Sequence, residues 1–120
     1  GEVHLDLARA AVALNDPGRA RIHIDKGLAL VPKDPFGWYL SAALARRQND
    51  LAVAREHIAR AVSLAPDDAS ILLEAGNIAG VSGEKDAALG LFARAARTAP
   101  NSEAGKAARA AIAANEGSPR

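Results

Sequence analysis

Three prolines constrain this chain more than anything else in it: Pro32, Pro66 and Pro100 stand 34 residues apart, twice over. Aligned on them, the sequence divides without a gap into 1–34, 35–68 and 69–102. Small residues then fall in register at Ala8, Ala42 and Gly76, at Ala20, Ala54 and Ala88, and at Gly27, Ala61 and Ala95. Large apolar residues share a column at Ile24, Ile58 and Phe92. A fixed period of this length marks stacked supersecondary units, none of which can bury its apolar surface alone.

Within each copy, apolar residues recur at spacings of three and four over two successive stretches of about 13 residues, the pattern of two amphipathic helices. Asn15-Asp16, Asn49-Asp50 and Gly83-Glu84 separate the halves. Asn and Gly readily adopt the left-handed conformation that closes a helix. The acid that follows suits the positive end of the next helix. Pro17 after Asp16 and Pro35 after Asp34 fit first-turn prolines behind a capping aspartate. The spacing predicts helices over 2–14, 17–30, 35–48, 51–64, 69–81 and 85–98, a closing helix over 102–114, and a frayed tail over 115–120. A core of Ala, Leu, Val and Ile with only 3% aromatic residues suits closely packed helices, and no strand-like alternation competes. The fold class is all-α: a right-handed solenoid of three helix-turn-helix repeats. A bulky residue at Ala54 or Ala88 should overpack the contact there, at a cost of roughly 1–3 kcal/mol.

The sequence is identified on these columns as resembling the tetratricopeptide repeat family. That family's pattern has Trp at position four, Leu-Gly at seven and eight, and Tyr at eleven. Ala at twenty, Phe at twenty-four, Ala at twenty-seven and Pro at thirty-two follow. The middle copy matches with Trp38, Ala42, Ala54, Ile58, Ala61 and Pro66, and the third with Gly76, Gly83, Ala88, Phe92, Ala95 and Pro100. The first copy matches with Leu7, Ala8, Ala20, Ile24, Gly27 and Pro32, but His4 stands for the Trp. Position eleven departs throughout, as Ala11, Ala45 and Ala79. The chain has no methionine and its first repeat starts at residue 1, so it reads as a piece of a longer protein with a segment upstream.

The resemblance implies a protein–protein interaction scaffold whose first helices line a groove. Carried over by position, the groove-facing residues are Leu5, Arg9, Val12 and Ala13, then Phe36, Tyr39, Ala43, Arg46 and Arg47, then Ser70, Leu73, Asn77, Gly80 and Val81. Arg and Tyr are frequent interface anchors, and Phe36 and Tyr39 lie three apart on one helix face. The expected partner is a protein or peptide carrying an acidic group, paired to Arg46 or Arg47. Family members that grip a chaperone's C-terminal carboxylate use Lys, Asn and Arg where this chain has Leu5, Arg9, Leu40, Ser70 and Glu74, so no such clamp is expected. Trp38 is expected in the core, where its loss to Ala would cost roughly 3–5 kcal/mol.

Other functions find less support. A net charge of +1 gives no general pull toward nucleic acid, and Asp25, Asp50 and Glu56 dilute the basic column Lys26, Arg60, Arg94 and its neighbours Arg21 and Arg55. No apolar run approaches the ~20 residues of a membrane helix. There is no cysteine. His23 and His57 share a column and so stand one helix spacing apart, ~10 Å, too far to share a zinc ion. No catalytic motif occurs, and Ser41, Ser63 and Ser82 have no histidine at a spacing that suggests activation. No enzyme activity, cofactor or metal is expected. The alternative to a partner-binding groove is self-association into a homo-oligomer through the repeat ends. Its candidate surface includes a stripe of Ala104, Ala107, Ala108, Ala111 and Ile112, most of which the covering of the last hairpin would explain. The partner's identity stays open, as does the compartment, with cytoplasm slightly ahead of periplasm.

Overall fold

The computed structural model describes residues 17–116. Six helices follow in order: α1 (Pro17–Leu30), α2 (Pro35–Arg47), α3 (Leu51–Leu64), α4 (Ala69–Val81), α5 (Lys85–Thr98) and α6 (Glu103–Glu116), with no strand among the described residues. The expected helix over 2–14 lies outside the described residues, as do residues 117–120. The last helix runs two residues past its expected end at Ala114. Asn115 is therefore helical where a frayed tail was expected, and its side-chain Nδ2 donates to the Ala111 carbonyl at 2.8 Å. The chain forms two compact units, Gly1–Leu64 and Ala65–Arg120.

The turns inside the hairpins follow from their residues. Asn49 (φ 61°) and Gly83 (φ 84°) both take the left-handed conformation. That geometry turns the next amide back on the helix end: Asp50 N–H donates to Ala45 at 2.8 Å and Glu84 N–H to Ala79 at 2.9 Å. The following helix starts are capped unevenly. Asp34 accepts from Phe36 N–H at 2.9 Å, Asp68 from Ile71 N–H at 3.1 Å, and Ser102 Oγ from Gly105 N–H at 3.0 Å. Asp50 makes only a long 3.4 Å bond to Val53 N–H, and the Glu84 side chain makes no capping bond. Glutamate is one methylene longer than the aspartate that fits this role.

In the first unit, α1 and α3 both pack on α2. Ala20, Ile24, Leu40 and Leu44 form a buried cluster there. In the second unit, α5 packs on α4, and α6 packs on both. Its core joins Ala69, Leu72, Ala79, Ala88, Phe92 and Ala95 to Ala104 and Ala108 of the last helix. The repeat columns are the buried positions: Ala20, Ala54 and Ala88, and Ile24, Ile58 and Phe92, are all under 7% exposed. At Gly76 the fit between columns is tight, because a Cβ there would lie 2.5 Å from the Phe92 ring.

Ala107 is exposed, so it does not belong to the stripe of α6 that covers the last hairpin. Ala104 and Ala108 face inward, with Ala111 and Ile112 partly buried beside them.

Candidate functional site

The groove-facing residues expected from the sequence take different roles. Leu5, Arg9, Val12 and Ala13 lie outside the described residues. Phe36 and Tyr39 are half-buried on the first turns of α2, with ring centroids 5.7 Å apart and planes tilted by 31°. Part of each ring packs against the Ala20–Ile24–Leu40–Leu44 cluster, so these aromatics support the core with one side and present the other. Arg46 is half-buried and Arg47 exposed, both in the last turn of α2, where a cation suits the negative helix end. In the second unit Ser70 is exposed, while Leu73 is half-buried and packs on the core. Of the positions compared with a carboxylate clamp, Leu40 and Glu74 are buried.

Asn77, Gly80 and Val81 come together. They line one wall of an open cleft of about 460 Å³, whose floor is Gly76, Ala88 and Phe92. Ala111, Ala114 and Asn115 of α6 form the facing wall, and Lys85 stands at the start of α5. The cleft exists because small residues occupy its walls: a Cβ on Gly80 would reach only Ala88 Cβ, at 3.9 Å. Its apolar floor and polar rim of two carboxamides and one ammonium are the usual make-up of a site for a small apolar group. Asn77, Gly80 and Val81 are among the groove-facing positions expected from the sequence, whereas α6 was expected only as a closing helix or a self-association surface and not as a wall of this cleft. The alanine stripe at Ala111 was the available signal.

A second cluster lies in the first unit. Ser41, fully buried on α2, meets His57 of α3, its Oγ 2.7 Å from Nδ1. The sequence offered no histidine at a spacing that suggests activation of Ser41, and this contact arises between helices instead. The two residues are on different helices, so sequence spacing carries no trace of the contact. Arg21 of α1 donates to the same Oγ at 2.8 Å and to the Ser41 carbonyl at 3.4 Å, and pairs with Asp25 at 3.3 Å. Buried out of reach of any substrate, Ser41 is no nucleophile. Burial lowers the His57 pKa from its ordinary 6.5, and the Arg21 charge lowers it further, as does Arg60. Glu56 and Asp25 pull the other way.

Trp38 is half-buried and not part of the inner core, against expectation. Its indole N–H donates to the Pro32 carbonyl at 2.8 Å, and its ring meets the His57 ring in a T-shaped contact at 5.1 Å. The Arg60 guanidinium lies 5.0 Å from its centroid. An indole placed over the end of α1 can hold that loop carbonyl, which a fully buried ring could not reach. Arg94, in the same column as Arg60, donates to the Pro66 carbonyl at 3.2 Å, so two of the three basic-column residues act on their own chain.

The tetratricopeptide repeat profile matches residues 5–69 and 39–103. The chain belongs to the tetratricopeptide repeat family. Solved structures agree on the fold. The Arabidopsis OM64 TPR domain superposes with a TM-score of 0.82 at 16% identity, covering 95% of this chain and 94% of that one. The N-terminal domain of stress-induced protein-1 from C. elegans gives 0.68 at 23% identity, covering 89% and 90%. An O-GlcNAc transferase mutant from Thermobaculum terrenum gives 0.81 at 22% identity over 83% of this chain, which spans only 19% of the transferase. No curated protein matches in sequence. Tetratricopeptide repeats are in general protein–protein interaction scaffolds.

Proposed function

We propose that this chain binds a protein or peptide segment through the groove-facing sides of its first helices, and that an aliphatic side chain of the partner fills the cleft of the second unit. The observation that carries the reading is the cleft itself, with expected groove residues Asn77, Gly80 and Val81 along one wall. Its apolar floor suits a Val- or Leu-sized group, and the Asn77 and Asn115 amides can bond the backbone on either side. Lys85 there, and Arg46 and Arg47 on α2, suit acidic residues in the same partner. Arg9, Leu5, Val12, Phe36, Tyr39 and Leu73 remain the other proposed contacts. The role assigned is binding, with no catalytic step.

The test uses Gly80→Leu, whose side chain has room to fill the cleft without displacing core atoms. Peptides are selected from a random library on the wild-type chain and re-tested on the variant. Helical content and thermal midpoint should be unchanged while aliphatic, acid-containing peptides lose at least tenfold in affinity. Selected peptides that bind the plugged variant equally well would refute the cleft as the site. Self-association is the second reading, favoured by Ile22, Leu30 and Val31, which are 54%, 64% and 41% exposed. Molecular mass that rises with concentration, and falls on Ile22→Lys, would support it.

A further inference from the structure

The Arg21–Ser41–His57 cluster does more than fill space. Guanidinium can only donate, so Ser41 Oγ accepts from Arg21 at 2.8 Å and keeps its own proton to give. The neighbour 2.7 Å away is His57 Nδ1, and the hydroxyl proton is best matched there by a neutral imidazole that carries its own proton on Nε2. Through these two bonds a side chain of α1 is tied by way of α2 to a side chain of α3. The arrangement favours a neutral imidazole. A proton on Nδ1 would turn the acceptor into a donor and leave Ser41 facing two cationic donors.

The surroundings oppose that proton. From α1 the imidazole faces Arg21 and, more weakly, Asp25. From α2 it faces the Ser41 hydroxyl and the Trp38 ring, and on α3 its neighbours are Glu56 and Arg60. Trp38 offers the charged ring no full compensation, because Arg60 already lies over the indole.

We propose that Arg21, Ser41 and His57 form an acid-operated latch: protonating His57 breaks its bond from Ser41 and loosens α3 from the α1–α2 pair. The folded chain holds this proton less tightly than the unfolded one, whose imidazole titrates near 6.5. Stability from the latch is therefore complete above 6.5 and is lost as pH falls below it, until the folded imidazole itself protonates. The proposal needs no partner and stands or falls apart from the binding reading.

Trp38 is the only tryptophan in the chain and touches the His57 ring, so it reports the event directly. The experiment titrates the whole chain from pH 8 to 5, following Trp38 emission, the His57 ring proton by NMR, and the thermal midpoint. The His57 midpoint should lie below 6.5, with Trp38 emission changing at the same pH and thermal stability falling on the acid side. Arg21→Gln retains a donor to Ser41 but removes the charge, and should move the midpoint upward. His57→Gln should abolish the emission change. A midpoint at or above 6.5, emission that ignores pH, or an emission change that survives in His57→Gln would each overturn the latch. If Arg21→Gln unfolds, His57→Gln with the wild-type titration decides alone.

Discussion

Adding one methyl group at Gly76 tests whether repeat columns are fitted to one another in pairs. An ideal Cβ there stands 2.5 and 2.6 Å from two carbons of the Phe92 ring, roughly 1 Å inside ordinary carbon–carbon contact. Phe92 is 4% exposed and cannot swing out to solvent. Overpacking should then cost near the upper end of its usual range, ~3 kcal/mol, offset by ~1 kcal/mol because alanine is the better helix former. Gly76→Ala should therefore lose about 2 kcal/mol, or about 10 °C in thermal midpoint for a unit this small. The first two repeats carry Ala8 and Ala42 in the Gly76 column and Ile24 and Ile58 in the Phe92 column. Phe92→Ile alone should leave a void and cost about 1 kcal/mol. Together the changes recreate the arrangement of the other repeats, and the double variant should return close to wild-type stability. Urea unfolding followed by circular dichroism gives all four corners of the cycle. A coupling of about 3 kcal/mol favouring the pair is expected; simple additivity, with the double variant about 3 kcal/mol below wild type, would refute the steric argument.

Gly83→Ala should lose about 1 kcal/mol by the same assay, because φ at 84° strains any residue with a Cβ, while Asn49→Gly at the equivalent turn should be close to neutral. Trp38→Phe should lose about 1–2 kcal/mol, from the bond to the Pro32 carbonyl and a weaker Arg60 contact. A loss above about 4 kcal/mol would mean that the indole behaves as a core residue after all.

The fold was legible because several kinds of signal agreed. The period marked a helical repeat, the three-and-four spacing marked the described helices, and Asn49 and Gly83 marked turns that depend on left-handed backbone. Agreement of that kind survives a wrong detail, such as the missing cap at Glu84. Trp38 was misread because a family column says which residue type recurs and not how deep it sits. The Ser41–His57 contact was invisible because it joins two helices at a separation that no periodicity favours. Only half of the cleft could be read from sequence, since it is made of absent side chains. Gly80 and Ala114 mark a cavity only once the fold has set them opposite each other.

The three prolines that revealed the repeat also show how loosely residue identity is tied to physical role. Each leaves a carbonyl at the end of a hairpin, and each carbonyl receives a side-chain donor. Trp38 serves Pro32, Arg94 serves Pro66 and Arg109 serves Pro100. The donors come from different columns for a traceable reason. In the Trp38 column the next repeat has Leu72, which is buried and has nothing to donate. Arg94 takes over that bond, while its column-mate Arg60 lies over the Trp38 ring instead. The need is set by the backbone and recurs every 34 residues; the residue that meets it depends on what its neighbours leave undone. The basic column, which nearby acids already dilute as a surface for anions, is at Arg60 and Arg94 engaged with its own chain. Partner recognition is then best sought where side chains are small and backbone demands are already met, as they are around Asn77 and Gly80.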